Sequence, residues 1–173
     1  MKWVIFTGTW RLTNKEIEED VRNAVRDCIL NGYGIVTGGA TGVDYFCMDE
    51  CLKNNYAHKL RVFIPAEVDY YIKDYNKNWC QKPITKEDIE KLENVLLKIQ
   101  EISPASLLEI KHDGGDITQD HYNARHNQEI IFSADEVYAF QVNNSTGTGD
   151  TINKARASGL PITLHKQYTI LEE

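Results

Sequence analysis

Two short stretches carry the residue types best suited to holding an anion. The first reads Gly34-Ile35-Val36-Thr37-Gly38-Gly39-Ala40-Thr41-Gly42-Val43-Asp44 and joins a β-branched run to a helical pattern. Its turn is dense in glycine. Without Cβ, glycine adopts positive φ and lets backbone N–H groups converge, and the helix that follows adds the positive end of its dipole. The second reads Asn143-Asn144-Ser145-Thr146-Gly147-Thr148-Gly149-Asp150, between the apolar run 137–140 and a helical pattern marked by Ile152, Ala155 and a stop at Gly159. Two such turns predict one anion cradle with two walls, because ligands of open parallel sheets lie beyond the carboxyl ends of the strands. Neither turn has the lysine of a Walker A loop, and neither keeps the dinucleotide spacing of glycines. Taken singly, each also reads as a tight strand-to-helix connection. Ser145 or Thr148 would then cap the helix with the N–H groups an anion would otherwise use.

Asp44 falls in the first turn of its helix, where it suits the dipole whatever else it does. A carboxylate beside a phosphate repels it, so a functional Asp44 should face sugar hydroxyls and accept their hydrogen bonds. His112, Asp113, Asp116, Asp120, His121 and His126 gather metal-capable side chains in one region. None follows a zinc or EF-hand spacing, so a solvated loop and helix start is predicted there, with no metal and no cofactor. No serine, histidine and aspartate arrangement suggests a nucleophilic triad. The four cysteines, Cys28, Cys47, Cys51 and Cys80, lack a C-x-x-C pair and read as reduced thiols.

The elements that must position these groups follow from periodicity. At 173 residues, 42% hydrophobic and 26% charged, the chain fits one domain, 1–173, with a real core. The apolar start at 3–6 is too short for a signal peptide or a spanning helix, so no membrane association and a cytoplasmic location are expected. A formal net charge of −7 disfavours a nucleic-acid partner, which needs a basic stripe, but does not disfavour one nucleotide.

Residues 3–6 predict a buried first strand with Trp10 and Arg11 beyond its end. A capping box at Thr13 and Glu16 opens a helix through Ile17, Val21, Val25 and Cys28 to Asn31-Gly32. A strand at 35–36, a helix at 43–52 and a strand at 60–64 follow. This alternation predicts an α/β fold, a three-layer Rossmann-like parallel sheet. An insertion at about 66–118 interrupts it. The aromatic part, with Asp69, Tyr70, Tyr71, Asp74, Tyr75 and Trp79, suits a lid over the crevice that stacks on a base, and equally an excursion packed on its own domain. A capped helix then runs from Thr85 to Ser103-Pro104, and Leu107, Leu108 and Ile110 form a short strand or dock the insertion. Further on, a helix at 118–132, a strand at 137–140 and a last strand at 160–164 are expected.

With both turns placed, the chain resembles the SLOG superfamily of Rossmann-like nucleotide-binding domains. Thr7-Gly8-Thr9 with Arg11 looks like its first turn, and Gly38-Gly39-Ala40-Thr41-Gly42-Val43-Asp44 like its glycine turn. Arg125-His126-Asn127 looks like its Arg-Asn segment, with either one residue inserted or His126 at the arginine position. Asn144-Ser145-Thr146-Gly147-Thr148 looks like its last phosphate turn. The resemblance implies ligand contacts from Gly8, Thr9, Arg11, Gly38, Gly39, Ala40, Thr41, Gly42, Asp44, Arg125, Asn127, Asn144, Ser145, Thr146, Gly147 and Thr148.

The superfamily includes cytokinin-activating phosphoribohydrolases, the DNA-processing protein DprA and sensor domains for nucleotide-derived signals. The hydrolases place a catalytic glutamate where this chain has Thr151, which leaves Asp44 and Asp150 as candidate catalytic carboxylates. Binding of a nucleotide or nucleotide-derived small molecule, as a sensor or sequestering protein, is therefore the favoured expectation. Hydrolysis of the N-glycosidic bond of a nucleoside 5′-monophosphate is the alternative, and single-stranded DNA binding of the DprA type is a third. Since the superfamily often dimerises, a homodimer or higher homo-oligomer is also expected.

Overall fold

The computed structural model describes residues 1–131 and 134–172. Six parallel strands form one sheet in the order β4-β3-β2-β1-β5-β6. They are β1 (Trp3–Gly8), β2 (Gly34–Gly38), β3 (Leu60–Ile64), β4 (Leu107–Glu109), β5 (Glu136–Val142) and β6 (Ile162–Tyr168). Val4 and Phe6 of β1 join the larger core with Ile35, Leu60, Val62 and the helix residues Ile17, Val21 and Leu96. Ile5 points to the other face, into a smaller core with Val36, Val137 and Ala155. Alternate residues of one strand thus enter different cores, which makes a central parallel strand apolar on both faces and the molecule three-layered.

The helices are α1 (Lys15–Leu30), α2 (Val43–Lys53), α3 (Val68–Asp74), α4 (Lys86–Ile102), α5 (Gln119–Ile131) and α6 (Thr146–Ala157). The expected helix at 118–132 is α5, and Phe132 lies outside the described residues. At α1 the cap is Asn14 rather than Thr13. Asn14 is extended, at φ −146°, and its Oδ1 accepts from the Ile17 N–H at 2.9 Å. Asparagine caps at least as well as threonine, so the helix starts one residue later than the capping-box reading places it. At α4 the expected box is present, with Thr85 and Asp88 satisfying each other's backbone N–H.

Part of the 66–118 segment completes the sheet. α4 carries the chain across to β4, whose Leu107 and Leu108 register against Val62 and Phe63 of β3. The remainder, α3 and a π-helical turn at Tyr75–Trp79, folds over the carboxyl ends of the strands. All four cysteines are free thiols, with Cys28, Cys47 and Cys51 buried and Cys80 exposed. Among the described residues no helix is long and apolar enough to cross a membrane.

Candidate functional site

Strands β2, β1 and β5 are parallel neighbours, so the turns that leave them open at one end of the sheet. Between β1 and β5 the strand order reverses, and this is where an open α/β sheet leaves a crevice. A cavity of about 430 Å³ occupies it, a size suited to one small ligand. One wall is the β1–α1 turn, with Gly8, Thr9, Trp10 and Arg11. Facing it are Ser145, Gly147, Thr148 and Thr151 of the β5–α6 turn and α6. Tyr71, Tyr75, Trp79 and Tyr122 supply an aromatic side, and Asp44, Arg125 and His126 lie alongside.

The two glycine turns differ in what their backbone donors do. At the first, the Ala40 N–H donates to Asp44 Oδ2 at 3.2 Å and the Thr41 N–H to the Tyr75 hydroxyl at 3.1 Å. The Val43 N–H donates to the Thr9 carbonyl at 3.0 Å, and the Gly39 carbonyl accepts from the Tyr71 hydroxyl at 2.8 Å. Its glycines serve close packing: a Cβ on Gly38 would stand 2.3 Å from Arg125 Nη1, and one on Gly39 2.2 Å from Ile64 Cγ2. Only Ala40 and Asp44 of this stretch line the cavity; Gly38, Gly39, Thr41 and Gly42 do not.

At the second turn Asn143 and Asn144 take positive φ, 49° and 52°, and aim the chain into α6. Ser145 does not cap that helix: its Oγ donates to Thr148 Oγ1 at 3.2 Å, and its carbonyl accepts from Gln141 Nε2 at 3.0 Å. The first turn of α6 therefore presents its N–H groups without a side-chain cap, and a Cβ on Gly147 would meet nothing within 4 Å. That open helix start faces the cavity.

Asp44 keeps part of its surface open to the cavity while protein atoms crowd its carboxylate on the other sides. Burial raises its pKa above the ordinary 3.8, against the opposing pull of the Arg125 charge and of the hydrogen bonds from Thr37 and Ala40. A carboxyl raised in the folded state stabilises fully below its unfolded pKa, and that contribution is lost as pH rises through the folded value. An asparagine at this position would keep the geometry: its amide oxygen accepts from Ala40, and its NH₂ donates to Thr37 Oγ1, which is free to donate to the Phe6 carbonyl. Asp44→Asn is accordingly expected to raise the melting temperature at pH 7 and to flatten its pH dependence above pH 4, read by thermal denaturation across pH. A lowered melting temperature at pH 7 would contradict this account of Asp44.

Beside it, His126 has its pKa pushed down to about 3, chiefly by burial and then by the Arg125 and Lys154 charges. It is a neutral imidazole at physiological pH, and its Nε2 accepts from the Arg125 guanidinium. Asp74 organises the aromatic side: its carboxylate accepts from Tyr122 at 2.8 Å, Trp79 Nε1 at 3.2 Å and Asn78 at 2.8 Å. Trp79 in turn meets Trp10 edge-on, with ring centres 5.3 Å apart. Tyr71 and Tyr75 are buried and hydrogen-bonded to the glycine turn, so packing accounts for them; Trp79 is half-buried at the cavity.

Of the residues singled out from sequence, Gly8, Thr9, Arg11, Ala40, Asp44, Arg125, Ser145, Gly147 and Thr148 come together at the cavity. Asn127, Asn144, Thr146 and Asp150 are exposed or half-exposed and do not line it. Thr151, at the position of the hydrolase glutamate, does line it, and its hydroxyl donates to the Gly147 carbonyl at 3.2 Å. Asn143, which opens the second stretch, lines it too; Gln119, Tyr122 and Glu172 also reach the cavity, and no motif announces them.

Away from this cavity, the ligand-capable atoms of His112, Asp113 and His121 lie within 4.8 Å of one another. The Nδ1 of each histidine accepts a backbone N–H, from Gly114 at 3.2 Å and from Thr118 at 3.0 Å. Among the described residues, the buried Nε2 of His112 has no hydrogen-bond partner.

No protein-family model and no curated protein matches this chain. Solved structures do. DNA processing protein A from Helicobacter pylori, described for its single-stranded DNA binding mode, superposes with a TM-score of 0.63 at 19% identity over 99% of this chain. The structural-genomics target TM1055 superposes at 0.55 with 18% identity over 94% of this chain, and DprA from Streptococcus pneumoniae at 0.50 with 15% over 95%. This chain spans 66%, 72% and 59% of those three chains. At such identities the likeness is one of fold. The molecule is an α/β protein with the Rossmann-like parallel sheet that these three share.

Proposed function

We propose that this chain is a SLOG-type domain that binds a nucleotide or nucleotide-derived small molecule, as a sensor or sequestering protein. The observation that carries the reading is the uncapped start of α6 facing Arg11 and an aromatic side across a single cavity of about 430 Å³. The helix start and Arg11 suit a phosphate, Trp79 and Tyr122 suit a base, and Asp44 suits ribose hydroxyls. Thermal-shift and calorimetric titration against nucleoside mono- and diphosphates, cyclic nucleotides and ADP-ribose derivatives tests it. Saturable one-to-one binding of at least one member is expected; no response to any would overturn the reading.

Single-stranded DNA binding is a second reading, favoured by the fold shared with the Helicobacter pylori protein. The net charge of −7 weighs against it. N-glycosidic hydrolysis is a third, favoured by the Asp44 carboxylate at the cavity. Asp44, however, is engaged by Thr37 and Ala40, and Asp150 is exposed away from the cavity. Weak base release or none is therefore expected when the protein is incubated with nucleoside monophosphates.

A further inference from the structure

β6 ends at Tyr168, and the chain then runs past Asn143 to bring Glu172 to the cavity beside Arg11. Asn143 pins it there. The Asn143 N–H donates to the Tyr168 carbonyl at 2.9 Å, its Nδ2 donates to the Ile170 carbonyl at 2.8 Å, and its Oδ1 accepts from the Ile170 N–H at 2.9 Å. Two residues on, Glu172 Oε1 accepts from Arg11 Nη1 at 3.0 Å. Asn143 leads into the open start of α6, and Arg11 belongs to the β1–α1 turn. Residues 169–172 therefore strap together the two turns between which a phosphorylated ligand would lie.

The Arg11 and Glu172 side chains both line the cavity and are 44% and 54% exposed. A carboxylate oxygen on a guanidinium is chemically what a ligand's phosphate oxygen would be. We infer that Glu172 is an internal, displaceable stand-in for the anionic group of the ligand, and that the 169–172 strap must release Arg11 for the ligand to bind. The inference rests on the nucleotide-binding reading and adds a gate to that site. The anchors differ in strength: the Ile170 backbone is held by two hydrogen bonds to the Asn143 side-chain amide, at 2.8 and 2.9 Å, whereas an exposed ion pair contributes little and yields to a better anion. Opening therefore begins at Glu172 and leaves β6 in place. The gate also selects, since a neutral nucleoside has nothing to offer Arg11 in exchange for Glu172.

The test is calorimetric titration of adenosine 5′-monophosphate and ADP-ribose into the full chain and its Glu172→Gln, Arg11→Gln and doubly substituted variants. Backbone hydrogen exchange of 169–172 is followed in parallel. Glu172→Gln is expected to tighten binding about three- to fivefold, as loss of an exposed pair allows. The gain should vanish when Arg11 is also replaced, and ligand should speed exchange of 169–172 in the unsubstituted chain. Equal affinity of the unsubstituted chain and Glu172→Gln, or weaker binding by the latter, would overturn the gate while leaving the nucleotide reading intact. Binding of neither probe to any of the four proteins would overturn the gate for these ligands, and the nucleotide reading falls with it only if the rest of the nucleotide panel is silent too.

Discussion

Gly42→Ala should lower the stability of the chain by about 2–6 kcal/mol, a sum of backbone strain and overpacking that are each worth about 1–3 kcal/mol. Gly42 sits at φ 77° and ψ −130°, a combination that residues with a Cβ scarcely populate. The added carbon would stand 2.3 Å from the Thr9 carbonyl oxygen and 2.9 Å from Trp10 Cα. Both neighbours are backbone, so relief requires moving the β1–α1 turn, and that turn is also held by the Val43 N–H on the Thr9 carbonyl. Loss of the turn's position displaces Thr9, Trp10 and Arg11 from the cavity together. Urea denaturation should show a lower midpoint with an unchanged slope. A midpoint equal to that of the unsubstituted chain would mean that the turn is not held as described.

Gly147→Glu should act in the opposite sense, sparing the fold and abolishing the site. Gly147 does not have positive φ, lies in the first turn of α6, and has open space where its Cβ would stand. A glutamate there improves helix propensity by about 0.5 kcal/mol or so and gains from the dipole. The folded state should therefore be as stable or slightly more so. The same carboxylate would lie where a ligand phosphate approaches the helix start, and juxtaposed like charges cost several kcal/mol. Affinity for a phosphorylated ligand should drop at least about 100-fold, roughly 2.7 kcal/mol.

Long periodic elements were the legible part of this fold. Ile17, Val21 and Val25 mark α1, and Ile89, Leu92, Leu96 and Ile99 mark α4, because a helix buries residues at a spacing that sequence displays directly. The strand β4 was only half legible, since three residues hold no period and its pairing with β3 is a long-range contact. In the candidate site, the turns were readable from glycine and polar residues, but the use of their donors was not. Whether Ala40 and Thr41 offer N–H groups to a ligand depends on Asp44 and Tyr75, and Tyr75 lies 34 residues beyond Thr41. Glu172 is harder still to foresee, being an ordinary acidic residue until β6 and Asn143 carry it to Arg11, 161 residues away in the chain.

The central claim is that a phosphorylated ligand sits on the open start of α6. Calorimetric titration of the nucleotide panel into the unsubstituted chain and Gly147→Glu, side by side at matched stability, tests it most directly. Saturable binding by the unsubstituted chain, lost at least about 100-fold in Gly147→Glu, is the expected result. Binding of equal strength by the two proteins would place the ligand elsewhere and contradict the account.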